Sequence, residues 1–151
     1  GDGFDRQKCE ALVAELDLAE KVTFHGRKTR TEVDEFYRIA DIFVFPSYRE
    51  AGGNVVFEAM GWCLPLVVSD RGGPGAAVDD TSGIRIHPIE PEQYAREIAN
   101  AIRLLVEDSA LRLALGNGAR RRVTEIALWD QKVNAMGELY RRILASGGAS
   151  A

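Results

Sequence analysis

The sequence has few of the residues that hold metal ions or cross-link chains, with two cysteines and two histidines among 151 residues. Cys9 and Cys63 stand in apolar contexts, without the close spacing of zinc ligands. We therefore expect both thiols to be free and buried, as in a protein of a reducing compartment.

Long hydrophobic runs and a surplus of basic residues are missing as well. No apolar stretch approaches the ~20 residues of a membrane-spanning helix, and the N-terminus shows no basic-then-apolar targeting pattern. The formal net charge is −4, so no cationic surplus exists to neutralise nucleic-acid phosphates. We expect a cytoplasmic protein that does not bind nucleic acid. Its 151 residues suffice for a single domain and are too few for two ordinary ones.

What the sequence does contain is a regular alternation of strand and helix patterns. Strands are predicted at Val22–Phe24, Ile42–Phe45, Leu66–Val68 and Ile84–Ile86, the last as a small edge strand. Helices are predicted at Asp5–Leu16, from a cap at Thr31, from a cap at Asn54, from Pro91 onward, at Leu111–Glu125 and from Trp129, before a frayed tail from Ser146 to Ala151. Strands that are apolar throughout indicate a parallel sheet with helices on both faces, a Rossmann-like α/β fold.

The segment Asp41–Met60 carries the strongest functional pattern. Its strand Ile42–Phe45 is expected to be buried on both faces, and a short polar loop with Gly52 and Gly53 leads to the predicted helix cap. Glycines let a backbone approach a ligand closely, and free N–H groups at a helix start bind anions. Glu50 in the loop and Glu58 one turn into the helix can reach the hydroxyls of one ligand. The segment therefore predicts a site for an anion that carries a sugar.

This segment resembles the group 1 (family 4) retaining glycosyltransferases. The resemblance rests on Ala40-Asp41, a hydrophobic strand, Pro46-Ser47, the EX7E motif Glu50-x7-Glu58-Ala-Met60 and Pro65-Leu-Val. It covers nearly the whole chain and corresponds to the later part of the family's C-terminal, nucleotide-sugar-binding domain. It implies the C-terminal half of a GT-B fold without its first strands, with C-terminal helices from about residue 91.

The resemblance also implies an activity and roles for single residues. The family transfers a sugar from a nucleotide diphosphate to an acceptor with retained configuration, and without a bound metal or other cofactor. Glu50 would contact hydroxyls of the donor sugar, as the catalytic candidate, and Glu58 would hold the ribose. Backbone amides would bind the sugar and the diphosphate, at Gly52, Gly53, Asn54, Val55 and Val56. His25 follows a predicted strand and is a candidate for the nucleotide pocket, although a local hydrogen bond explains a loop histidine equally well.

The sequence also departs from the family pattern. The usual Glu-Gly-Phe-Gly becomes Glu50-Ala-Gly-Gly53, and Cys63 replaces a glycine. The family's first strand, its Arg/Lys pair and its N-terminal acceptor domain would lie upstream of Gly1, because Gly1-Asp2-Gly3 leads into a helix without a strand before it. We therefore expect a truncated domain that is inactive in isolation.

Several alternatives stay open. The chain could be a noncatalytic nucleotide-sugar-binding module, or belong to an epimerase or phosphorylase on the same fold; a retaining glycosidase, which also uses paired carboxylates, fits nothing else in the sequence. The remaining patterns have structural explanations: a turn at Gly72–Gly75, a solvated turn at Asp79-Asp80, solvated helix faces at Arg120–Arg122 and Arg141-Arg142 rather than a membrane patch, and a core or domain-contact stripe with Trp129 and Tyr140.

Overall fold

The computed structural model describes residues 2–147, and these divide into two compact units between Ile39 and Ala40. The first unit contains the helices α1 (Arg6–Glu15) and α2 (Arg30–Ile39). The second contains, in chain order, β1 (Phe43–Phe45), α3 (Asn54–Gly61), β2 (Leu66–Ser69), α4 (Gly72–Ala77), β3 (Gly83–Ile86), α5 (Pro91–Glu107), α6 (Ser109–Ile126) and α7 (Trp129–Gly147). The expectation of a single domain stays a prediction.

In the first unit, the start of α2 differs from the prediction. Thr29 rather than Thr31 caps the helix: the Glu32 amide donates to the Thr29 hydroxyl at 3.4 Å, and the Glu32 carboxylate accepts from the Thr29 amide at 2.9 Å. This reciprocal pair is a capping box. A hydrogen bond from the Lys28 ammonium and two from Thr29 lower the pKa of Glu32 to about 2.

The predicted strand Val22–Phe24 is wrong. These residues form no strand within the described chain, and the sheet of the second unit does not include them. Three residues with β-branched and aromatic side chains satisfy the sequence pattern, but a strand exists only where a neighbour supplies the ladder of hydrogen bonds.

In the second unit, β1, β2 and β3 form a parallel sheet in that order. Phe43 pairs with Leu66, and Leu66 pairs with Gly83. The predicted strands Ile42–Phe45, Leu66–Val68 and Ile84–Ile86 are therefore confirmed, and β3 lies at an edge as expected. The α/β class with helices packed on both faces of a parallel sheet is confirmed too.

Burial distinguishes the central strand from β1. All residues of β2 are buried, whereas those of β1 are only half-buried. The expectation that Ile42–Phe45 is buried on both faces is thus wrong, because β1 forms an edge of the described sheet and pairs with β2 alone. The apolar composition of a strand shows how much surface the strand is able to bury. Its position in the sheet decides how much of that surface is in fact covered by neighbouring elements.

The long helices complete the core over β2 and β3. Val67 and Ile86 pack with buried residues of α5 and α6, which are Ala101, Leu105 and Leu115. The start of α5 is fixed by Gln93, whose side chain accepts from the Glu90 amide at 3.4 Å. The start of α6 is capped by Asp108, which accepts from the Leu111 amide at 2.8 Å. The helices predicted from Pro91 and over Leu111–Glu125 are confirmed.

Helix α7 carries an exposed apolar stripe. Trp129, Met136 and Tyr140 are 79%, 48% and 60% exposed, so the interpretation of this stripe as core is wrong, while domain contact stays a prediction. The predicted frayed tail is also wrong at its start, because α7 extends through Gly147. Residues 148–151 lie outside the described chain.

Both cysteines are free and exposed, which contradicts the expectation of buried thiols. Cys9 lies on α1, a helix without buried residues. Cys63 follows α3 with a φ of 59°, in the left-handed region. Within residues 2–147, no helix has both the length and the hydropathy to cross a membrane.

Candidate functional site

The site predicted from the sequence lies where β1 ends and α3 begins. In a parallel sheet, the loops at the carboxyl ends of the strands form the edge at which ligands bind. Glu50 is half-buried in the loop that follows β1, and Gly52 is exposed beside it. Gly53 is buried, Asn54–Val56 form the first turn of α3, and Glu58 is half-buried in the second turn. A single short segment therefore holds every predicted site residue except His25.

The Glu50 carboxylate is held by the backbone of its own loop. Its Oε1 atom accepts hydrogen bonds from the amides of Gly52 and Gly53, at 3.1 and 2.9 Å. Two of the amides that the resemblance assigns to donor binding thus donate to the Glu50 carboxylate. Hydrogen bonds to a charged acceptor are stronger than neutral ones, so they fix the direction of this side chain.

The helix cap is Gly53 and not Asn54, which corrects the predicted cap by one residue. Gly53 has a φ of 67°, and its carbonyl accepts from the Val56 amide at 2.8 Å. The left-handed region costs glycine nothing and costs a residue with a Cβ about 1–2 kcal/mol. Since the chain turns into α3 at this residue, glycine is preferred over an asparagine cap. The Val56 amide is engaged within the helix start.

The loop after β2 reaches the same place. The segment Gly72–Gly75 was predicted to be a turn, but α4 begins there, at Gly72. The Gly73 amide donates to the carbonyl oxygen of Glu50 at 3.1 Å. This contact could not be predicted, because a glycine pair does not reveal which backbone it approaches.

A cavity of about 370 Å³ lies at the same edge of the sheet, and none of its residues was predicted as a site residue. It is lined by residues of the loop after β1, the loop after β3 and the first turn of α5, which are Tyr48, Pro88, Ile89, Glu90, Pro91 and Tyr94. The Arg71 guanidinium lies 5.0 Å from the centre of the Tyr48 ring. Tyr48 lies far along the sequence from Pro88–Tyr94, so only the fold could reveal this grouping.

His25 belongs to the first unit and packs against Phe36, with ring centroids 4.3 Å apart and ring planes tilted by 46°. This ring contact explains the position of His25 locally, without a ligand. It is a different contact from the local hydrogen bond that the sequence suggested. Its role in the nucleotide pocket stays a prediction.

The acidic pair Asp79-Asp80 lies in the turn before β3, as predicted, but Asp79 is not simply solvated. Its carboxylate accepts from the hydroxyl of Thr81 at 2.8 Å and that of Ser82 at 3.0 Å. Burial raises the pKa of Asp79, but these hydrogen bonds and the charge of Arg122 outweigh it, so the pKa lies below its ordinary value. Within residues 2–147, no group of three or more His, Cys, Asp or Glu is arranged to hold a metal ion.

The interpretation of Arg120–Arg122 as a solvated face is confirmed for the exposed residues Arg120 and Arg121 and is wrong for Arg122, which is half-buried. Arg120 donates to the carbonyl of Gly61 at 2.7 Å. Arg122 donates to the carbonyls of Ala76 and Ala77 at the end of α4 and pairs with Asp79 at 2.7 Å. These arginines tie α6 to α3 and α4, the helices that frame the site.

Comparisons with known proteins agree with this architecture. The profile of the family "Glycosyl transferases group 1" matches residues 1–122. A D-inositol 3-phosphate glycosyltransferase of Kineococcus radiotolerans is 34% identical over 143 residues, which cover 91% of this chain and 33% of the relative. The chain thus spans about a third of such relatives.

Solved structures show the same fold. Sucrose-phosphate synthase of Thermosynechococcus elongatus matches with a TM-score of 0.76 at 33% identity, over 97% of this chain and 36% of that protein. HepE of Anabaena, solved in complex with UDP-glucose, matches with a TM-score of 0.72 at 22% identity, over 95% and 38% of the two chains. Similarity to GT-B enzymes confirms the fold expected from the sequence. The chain belongs to the group 1 glycosyltransferase family.

Proposed function

We propose that this chain supplies the donor-binding site of a retaining glycosyltransferase that uses a nucleotide-diphosphate sugar. The proposal is supported by the geometry of the segment from Glu50 to Glu58. At the carboxyl end of β1, this segment places an oriented carboxylate, a glycine backbone without side chains and the start of a helix. The solved complex of HepE contains a nucleotide sugar, UDP-glucose. We propose the same class of donor here.

In this proposal, Glu50 orients the transferred sugar. Its Oε1 atom is held by two amides, and its carboxylate has further lone pairs that accept a sugar hydroxyl. Glu58 accepts hydrogen bonds from the ribose hydroxyls. This assignment comes from the family resemblance and is tested by substitution below.

The chemical step that we propose needs little acid–base catalysis from the chain. The bond between the anomeric carbon and the diphosphate breaks, and the positive end of the α3 dipole stabilises the charge that grows on the leaving oxygen. The acceptor hydroxyl attacks from the same face, and its proton goes to the departing phosphate. We propose that no resident metal or cofactor takes part. The acceptor-binding half belongs to another part of the whole protein, so the isolated chain binds donor without transferring it.

Binding and transfer are tested separately. Titration calorimetry of the 151-residue chain with UDP, GDP, ADP and UDP-glucose tests donor binding. Transfer is measured with the complete gene product, by product analysis with a labelled nucleotide sugar. Binding without transfer by the complete protein would favour a noncatalytic module, and an epimerised donor or a free sugar phosphate would favour the other two classes.

Glu50 is tested in the complete protein with a matched pair of variants. Glu50→Ala removes the carboxylate, and we expect turnover to fall by about a hundredfold or more, as when an oriented transition-state contact is lost. Glu50→Gln keeps an oxygen for the amides of Gly52 and Gly53 and should retain more activity than alanine. Near-normal turnover of Glu50→Ala would refute the role of this carboxylate.

A further inference from the structure

The start of α4 packs on the loop that carries Glu50, and we propose that the segment Gly72–Pro74 is the positioning element of the Glu50 carboxylate. The effect of this positioning on donor binding rests on the proposed function, in which Glu50 orients the donor sugar. The structural part concerns two loops of the same unit and is testable without any donor.

The packing of these two loops is backbone on backbone. The Gly73 amide donates to the Glu50 carbonyl oxygen at 3.1 Å. A Cβ atom on Gly72 would lie 2.2 Å from that oxygen, and one on Gly73 would lie 2.5 Å from the carbonyl oxygens of both Ala51 and Gly52. Carbon and oxygen atoms without a bond do not approach so closely, so the loop accepts no side chain at either glycine.

Peptide geometry connects this packing to the carboxylate. The carbonyl of Ala51 and the amide of Gly52 belong to one planar peptide unit, in which C=O and N–H point in opposite directions. The carbonyl of Gly52 and the amide of Gly53 form the next such unit. Because Gly73 lies against both carbonyls, it sets the direction of both amides, which are the donors to Glu50 Oε1.

Pro74 fixes the other side of the turn. A Cβ atom on Gly53 would lie 3.1 Å from Pro74 Cγ, and Pro74 is fully buried. Gly53 must keep its φ of 67° to begin α3. The carboxylate of Glu50 is thus oriented through its own loop by a segment that need not touch the donor.

The structural part is tested by NMR of the ¹⁵N-labelled chain. The amide protons of Gly52 and Gly53 should move upfield in Glu50→Ala, which removes their acceptor. Gly73→Ala keeps the carboxylate but should reproduce at least half of that change. Wild-type amide shifts in a folded Gly73→Ala chain would overturn the proposal.

Two further variants keep this test decisive. Gly116→Ala is the matched control: its Cβ would lie 2.2 Å from the Cys63 carbonyl oxygen, a comparable overlap far along the chain. It should lower the melting temperature and leave the Gly52 and Gly53 shifts unchanged. Should Gly73→Ala fail to fold, Pro74→Ala opens space beside Gly53 and should shift its amide in the same direction by a smaller amount; an unchanged shift there would overturn the proposal.

The functional part is tested by a double-mutant cycle with UDP-glucose as the probe. Glu50→Ala should weaken binding about tenfold in the wild-type chain, and less than about twofold in the Gly73→Ala background, since the carboxylate is already misdirected there. Additive effects would contradict the positioning role. If the wild-type chain binds neither UDP-glucose nor UDP, GDP or ADP, the proposed class of donor fails, and the amide shifts still decide whether Gly72–Pro74 positions Glu50.

Discussion

The contacts of Arg122 allow a quantitative test of how α6 stabilises α4, one of the two helices beside the site. Its guanidinium donates to the carbonyls of Ala76 and Ala77 and pairs with Asp79 at 2.7 Å. The last carbonyls of a helix have no partner within the helix, so this arginine satisfies two groups that α4 leaves open. The Arg122 side chain is 23% exposed and that of Asp79 is 36% exposed, which weakens each contact through solvent screening.

The expected magnitude follows from these contacts. Two hydrogen bonds contribute ~0.5–1.5 kcal/mol each, and a partly exposed ion pair contributes about 0–1 kcal/mol. Arg122→Ala should therefore lower the free energy of unfolding by about 2 kcal/mol. For a chain of this size that corresponds to a fall of about 4–8 °C in melting temperature. Arg122→Lys keeps the charge, but its ammonium cannot span both carbonyls and Asp79, so it should recover less than half of the loss.

Thermal unfolding followed by circular dichroism measures both variants. Arg121 is the matched control, because it is the exposed neighbour on the same helix, and Arg121→Ala should change the free energy of unfolding by less than about 0.5 kcal/mol. A melting temperature of Arg122→Ala within about 1 °C of the wild type would refute the reasoning. Equal losses for the two alanine variants would refute it too, since they would point to helix propensity rather than to these contacts.

The remaining predictions concern pH, packing and nucleotide affinity. The pKa of Asp79 lies below its ordinary value, so its contribution to stability is present above about pH 4 and lost as pH falls further; urea unfolding of Asp79→Asn should depend less on pH between about pH 5 and 2 than the wild type. Gly118→Ala would place a Cβ 1.7 Å from the Thr81 carbonyl oxygen and should lower the free energy of unfolding by more than about 3 kcal/mol, which calorimetry measures. Glu58→Ala should weaken nucleotide binding by about 1–3 kcal/mol in titration calorimetry, as for a lost buried hydrogen-bond partner.

Each of these predictions has an outcome that contradicts it. Equal pH slopes would show that the Asp79 carboxylate is no better stabilised in the folded chain than in the unfolded one. Gly137→Ala is the control for packing, because its Cβ would meet only the end of the Arg141 side chain, at 3.6 Å; a similar loss in both glycine variants would exclude a steric cause. Unchanged affinity of Glu58→Ala for every nucleotide would count against the ribose assignment.

The sheet of the second unit could be predicted from the sequence because its strands are short, apolar and bounded by clear breakers. Pro46 follows the first of them, and Leu66–Val68 is apolar throughout, which is typical of a buried strand. The segment from Glu50 to Glu58 was recognisable because two carboxylates flank a glycine pair at a fixed spacing. These are local patterns, and the structure preserves them.

Several of the errors share one physical cause, since they depend on packing or pairing with segments distant in sequence. Val22–Phe24 has the composition of a strand but no ladder partner in the described sheet. Cys9 stands among apolar residues on a helix that buries none of its residues. In the sequence, Arg122 is one of three consecutive arginines on a predicted helix face. Its contacts become visible only in the structure, where it donates to the carbonyls at the end of α4.

The glycine run Gly72–Gly75 shows the same limit at the site itself. Sequence identifies the lack of side chains, but only the fold shows which carbonyls come close. Its closest approaches are to the loop that carries Glu50. A sequence pattern therefore finds the residues that contact a ligand more readily than the residues that position them.

The most direct test of the account is an NMR titration of the ¹⁵N-labelled chain with UDP-glucose. We predict saturable shift changes centred on the amides of Gly52–Val56 and on Glu58, and weaker binding by Glu50→Ala. Saturable binding that leaves the amides between Glu50 and Glu58 unperturbed would place the donor elsewhere and contradict the central claim.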